Sequence, residues 1–296
     1  MRGGIEIENI GEFTMVRTSE KARIYEIADK FRSQCLTESR SLLWPDHRIW
    51  TVENLTAFRD AFIKHPDEGD RTFSQKLHDQ LSGASEDIHR LAADILAIYQ
   101  LFPSDWTVTS KISNIETIVG WKLAEDQPVY ASIRSAYEAK GIGGTGQWYA
   151  QGRPWHIAYY IDFSIHAISG RLDPADENSS RLGADFLADR QPNVNLSRNI
   201  LLHLMFPDEY EKIASQRQKR QITKVFSQFK GDTDIVDHQI ANIRGELAKE
   251  HGPGFDFLLS ISKCGTDQDP RELSLWRASA EFPDGPVVAS APIDRL

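Results

Sequence analysis

The sequence predicts a mainly α protein, with a multi-helix N-terminal half and a smaller α+β C-terminal portion that contains a few short strands. Three observations lead there. In segment after segment up to residue 250, apolar residues recur three and four apart, the spacing of one helix face. Ser or Thr stands before many of these segments and Pro or Gly after them, where helices are capped and stopped. From residue 255 onward the helical period fades.

Residues 1–16 read as a frayed arm or a short edge strand. Thr18 or Ser19 caps a helix to about Thr37, with Ile24, Ile27, Ala28, Phe31 and Cys35 facing inward. Thr51 caps the next, which buries Leu55, Phe58 and Phe62, and a turn follows at His65-Pro66-Asp67. Phe73, Leu77 and Leu81 mark a short helix ended by Gly83. Ser85 caps the most strongly helical segment, residues 86–101, which Pro103 stops. Ser110 opens a further helix through Ile112, Ile115, Ile118, Val119 and Trp121. Pro128 starts another, and Gly141 caps its C-terminus.

Residues 141–154 form a glycine-rich loop, and Pro154 suits the first turn of the helix after it. Residues 172–180 are polar and turn-rich, which marks them as a linker between a domain at 1–171 and one at 181–296. A short helix at 182–187 precedes one carrying Ile200, Leu201, Leu204 and Met205. Phe206-Pro207-Asp208 ends that helix, because a residue before proline is pushed away from the α region. Ser215 caps the next, whose inner stripe is Ile222, Val225, Phe226 and Phe229. A long helix spans 234–250, and residues 255–262 and 287–291 are the expected strands.

The composition is that of a water-soluble globular chain: 40% hydrophobic, 26% charged, with a net charge of −9 over 296 residues. No apolar run reaches the length of a membrane span, and the N-terminus has no apolar core of a signal peptide. The two cysteines, Cys35 and Cys264, lie far apart, so a reduced cytoplasm is the expected compartment. The acidic balance argues against coating of nucleic acid but permits a local basic site.

Catalytic motifs are missing. Residues 141–146 match GxGxxG in form, yet Gln147 and Trp148 stand where a phosphate-binding loop needs Lys and Ser/Thr. A dinucleotide fingerprint needs a strand before the loop, and residues 130–140 read as helix. The plain reading of the loop is a connection between helices. The functional reading is a contact loop in which Gln147, Trp148, Tyr149, Arg153 and Trp155 stack on a base and hold a phosphate. Trp155 fits the core better, and Asp162 and Asp185 fit surface or capping contacts. The nine histidines show no metal-ligand spacing, and no nucleophile or nuclease signature occurs. Neither a metal nor a cofactor is expected, and the chain reads as non-catalytic.

One local feature departs from the acidic background. Between residues 211 and 230 there are six basic residues (Lys212, Arg217, Lys219, Arg220, Lys224 and Lys230) against the single acid Glu211. Arg217, Arg220 and Lys224, spaced i, i+3, i+7, share one stripe, which Lys219 flanks. The bland account is a solvated helix face. The sharper one is an anion site, because these cations occupy the first turns of a helix, where the dipole disfavours positive charge.

The stretch LLHLMFPDEYEKIASQRQKRQITKVF, residues 201–226, resembles the region ahead of the motor in McrBC-type AAA+ proteins of modification-dependent restriction and antiphage defence. Residues 73–81 with 91–103, the loop 141–154, and residues 243–257 resemble parts of the same region. The motor itself is absent, so the resemblance carries no nucleotide hydrolysis. It implies a recognition or adaptor module with DNA and an AAA+ motor or nuclease subunit as partners. Two other readings stay open: a protein–protein scaffold whose cations meet an acidic partner, and a nucleotide or small-molecule sensor built on the glycine loop.

Overall fold

Among the described residues, those spaced for one helix face mostly become that face. The computed structural model describes residues 21–63, 70–123, 126–251 and 257. Among them are twelve α-helices and no strand; Pro103 and Gly143 form one isolated parallel bridge. The chain divides into two compact units, one up to Gln216 and one from Arg217.

The first unit is built on α4 (Glu86–Tyr99), which packs against α2 (Val52–Ile63), α5 (Val108–Lys122) and α8 (Arg153–Ile168). From Ile88 to Tyr99 every residue of α4 is buried, as expected of a helix that is apolar nearly all round. Ser85 caps it: the Ser85 hydroxyl accepts from the Ile88 amide. α1 (Ala22–Lys30) continues as a π-turn, Phe31–Thr37, and buries Ile24, Ile27, Ala28, Phe31 and Cys35. α3 (Phe73–Leu81) carries a full capping box between Thr72 and Gln75. α5 begins three residues earlier than expected, because the Thr107 hydroxyl, not Ser110, accepts the cap bond, from the Ser110 amide at 3.1 Å.

Asp94 is the polar anchor of this core. Its carboxylate accepts from the Ser41 hydroxyl (2.7 Å), the Leu42 and Leu43 amides (2.8 and 3.0 Å) and the Trp50 indole (2.9 Å). These bonds fix the irregular segment that leads to α2. Burial pushes the Asp94 carboxyl up to about 6, against the pull of its four donors. Cys35 lies in the same core, and burial drives its thiol well above the ordinary range.

Residues 172–180 do not form a linker. Leu172 and Ser180 are buried, and the Ser180 hydroxyl donates to the Asp173 carbonyl. Asp176 caps α9 (Glu177–Ala188), accepting from the Ser179 amide at 2.6 Å. The expected domains at 1–171 and 181–296 therefore give way to a division at Gln216, after α10 (Asn195–Met205).

The described part of the second unit is helical. α11 (Gln216–Val225) leads through a 3-10 turn, Ser227–Phe229, to α12 (Val236–His251). Ile222, Ile240 and Ile243 have no exposed surface, and burial of each side chain contributes about 1.5–3 kcal/mol. The other members of the predicted stripe, Val225, Phe226 and Phe229, are only partly buried. Of the residues expected as strands, Phe257 lies buried in a turn; the rest fall outside the described residues, as do residues 1–16 and the turn at 65–67.

Candidate functional site

Residues 141–154 are mostly ordered helix ends, which corrects the expectation of a long loop. α6 (Tyr130–Glu138) closes through Lys140 and Gly141, both with positive φ. A Cβ on Gly141 would lie 2.3 Å from the Pro103 carbonyl oxygen. The Ile142 and Gly143 amides donate to the Phe102 carbonyl, and the Ser104 amide donates to Gly143. Lys111, fully buried, donates to the Pro103 carbonyl at 2.7 Å; burial pushes its ammonium down to about 8. Glycine is thus needed at 141 for a close backbone approach to residues 102–104, not for a phosphate. From Gly146 the chain is helical again, as α7 (Gly146–Gln151), and Gly152 separates α7 from α8.

The four site residues expected here part company. Gln147 is exposed. Trp148 is 39% exposed, but its ring packs on Gly152 and its indole N–H donates to the Asn193 carbonyl at 3.2 Å. Tyr149 is fully buried, stacks on Tyr99 at 4.4 Å between centroids, and donates to the Tyr99 carbonyl. A base cannot reach it. The Arg153 guanidinium lies 4.9 Å from the Phe73 ring and 5.5 Å from the Trp106 ring, where it packs between helices. Trp155, expected in the core, is 52% exposed. So the core aromatic of this segment is Tyr149, and the open one is Trp155.

A serine–histidine pair lies below this segment. His156 Nδ1 is 2.8 Å from the Ser197 hydroxyl, and burial pushes the imidazole down to about 4. Both residues have zero exposure, so the pair has no route to a substrate and serves packing. Among the described residues no group of His, Cys, Asp and Glu is arranged to hold a metal ion, and no helix is long and apolar enough to cross a membrane.

The basic helix lies in the second unit. Arg217, Arg220 and Lys224 are all exposed on α11, and Lys230 is exposed beyond it. Lys219 is different, and the expectation that it flanks an anion site is corrected. It has no exposed surface, and its ammonium meets Asp237 of α12 at 2.5 Å. Sequence held a signal for this: Lys219 stands three residues before Ile222 and shares its buried face. Its partner, eighteen residues away across a turn, had none. Among the described residues no carboxylate pairs with Arg220 or Lys224. Arg217, Arg220 and Lys224 thus lie exposed on one stripe, while the inward Lys219 is paired inside the unit.

Of the two acids expected in surface or capping contacts, Asp162 is buried, while the Asp185 side chain is 41% exposed. Asp162 accepts from Arg59 and, at 2.6 Å, from the Gln191 side chain. Asp185 accepts from Arg198 at 2.8 Å.

No protein-family model matches the chain, and neither the curated proteins nor the solved structures give a match.

Proposed function

We propose that this protein is a non-catalytic recognition or adaptor module of an McrBC-like restriction or antiphage defence system, and that it contacts DNA through α11. The observation that carries the reading is the sorting of charge on that helix. Arg217, Arg220 and Lys224 face water on one stripe, while Lys219 is neutralised by Asp237. Surface cations placed in register along a helix track a phosphate backbone without reading base sequence. The resemblance of residues 201–226 to the region ahead of such motors supplies the biological setting. The motor and nuclease would then be separate partners.

The glycine-rich segment is not part of the proposed contact, because Tyr149 and Arg153 are consumed by packing. Binding of duplex DNA by the wild type and by an Arg217→Ala/Arg220→Ala variant tests the proposal. Loss of an acidic partner protein in the same variant, with no DNA binding by the wild type at low salt, would instead make the chain a protein scaffold.

A further inference from the structure

A cleft in the first unit is lined by none of the residues assigned to α11. Its volume is about 410 Å³, and it opens between α2, α3, the start of α8 and residues 190–192. That size falls within the roughly 300–1,000 Å³ of small-molecule sites. The walls are apolar, formed by Phe62, Ile63, Phe73, Pro154, Trp155 and Pro192. Trp155 and Ile63 are among the most exposed large hydrophobic residues of the first unit, and both line this cleft. Wide aromatic surface left in water at a concave place marks a binding site more often than a random surface residue does.

Cations outnumber acids among the charged groups of the cleft. Arg59, Lys76 and Arg190 line it against a single carboxylate, Asp162. Asp162 is nearly buried and is already held by Arg59 and Gln191. These two bonds tie α2, α8 and the 190–192 segment together, so the Arg59 guanidinium is held in place before any ligand arrives. Arg190 meets no carboxylate among the described residues. Its guanidinium lies 3.4 Å from the centre of the Phe186 ring, and it donates to the Phe186 carbonyl. The first turn of α8, which forms one wall, adds the positive end of a helix dipole.

We propose that this cleft binds a small planar aromatic molecule carrying one anionic group. The ring packs on Trp155 and Phe73, and the anion points to Arg59 and Arg190. Arginine suits this role because its planar fork matches an oxyanion in two bonds.

Calorimetric titration of the full chain with 2-naphthoate, and with the neutral 2-naphthamide of the same shape, tests it. Saturable one-to-one binding of naphthoate is expected, at least about tenfold tighter than that of the amide, the usual scale of one charge-assisted bond. Arg190→Ala should weaken naphthoate about tenfold and leave the amide unchanged, and Arg190→Lys should restore part of the loss. Trp155→Ala should weaken both compounds. Both residues are exposed, so these variants are expected to fold, which thermal melting checks. Arg217→Ala/Arg220→Ala should leave naphthoate binding unaltered. The proposal is overturned by absence of saturable binding, by equal affinity for acid and amide, or by unchanged binding in Trp155→Ala.

Discussion

Lys219 of α11 and Asp237 of α12 form a buried ion pair: the Lys219 side chain has no exposed surface and that of Asp237 only 4%. The pair sits on the same face as Ile222, so it ties the two helices where an apolar contact would otherwise stand.

Breaking that pair on one side strands a charge in the interior. Lys219→Met is expected to destabilise the protein by about 3–5 kcal/mol, read as a lower urea midpoint for α12. The double variant Lys219→Met/Asp237→Leu should recover most of the loss, because the desolvation cost leaves with both charges. A single variant as stable as wild type would contradict the buried pair.

Gly141 carries a second prediction. Its φ is +66°, and an added Cβ would come within 2.3 Å of the Pro103 carbonyl oxygen, so no side chain fits. Gly141→Ala combines left-handed strain with overpacking against backbone, at about 2–5 kcal/mol in total. Gly144, three residues on, has open space and an ordinary φ, so Gly144→Ala should stay within about 0.5 kcal/mol of wild type. Thermal melts of the two variants separate a structural segment from a permissive loop. Equal melting temperatures would contradict the strap between residues 141–143 and 102–104.

Asp94 makes stability depend on pH in an unusual direction for a carboxylate. Its folded value of about 6 lies above the ordinary 3.8, so the folded protein holds the proton longer than the unfolded chain does. Its contribution is therefore full below about pH 4 and is lost as pH rises through 6, by up to about 3 kcal/mol. Carboxyl NMR should show a midpoint near 6 for this residue. Unfolding free energy should carry a falling component over the same window that Asp94→Asn lacks. A midpoint at or below the ordinary 3.8 would contradict the dominance of burial over the four donors.

Much of the first unit was legible in the sequence because its signals are local. The Ser85 cap, the stripe Ile24–Ile27–Phe31–Cys35 and the stop at Phe206-Pro207 are each written within a turn or two of chain. What misled was long-range. Gly141 was legible as a helix cap, and its φ of +66° fits one, but its close approach to the Pro103 backbone, thirty-eight residues away, was not. Polar 172–180 looked like a linker because Ser179 and Ser180 spend their hydroxyls on Asp173, which composition does not reveal. Tyr149 and Trp155 exchanged roles because residues 146–151 form a separate helix, α7, which a glycine-rich composition hid, and Trp155 falls on the open side of the first turn of α8. On α11 the exposed stripe of Arg217, Arg220 and Lys224 and the inward position of Lys219 were readable from spacing, while the partner of Lys219, Asp237, was not.

The central claim is that the exposed stripe of α11 neutralises phosphates, and the salt dependence of DNA binding measures that directly. Each phosphate contact releases counterions, so three contacts give a log–log slope of about −2.7 on duplex DNA. Arg217→Ala/Arg220→Ala removes two of them and should flatten the slope by about two units, weakening all sequences alike while thermal stability holds. Binding that keeps the wild-type slope in this folded variant, or no binding by wild type at low salt, would contradict the claim.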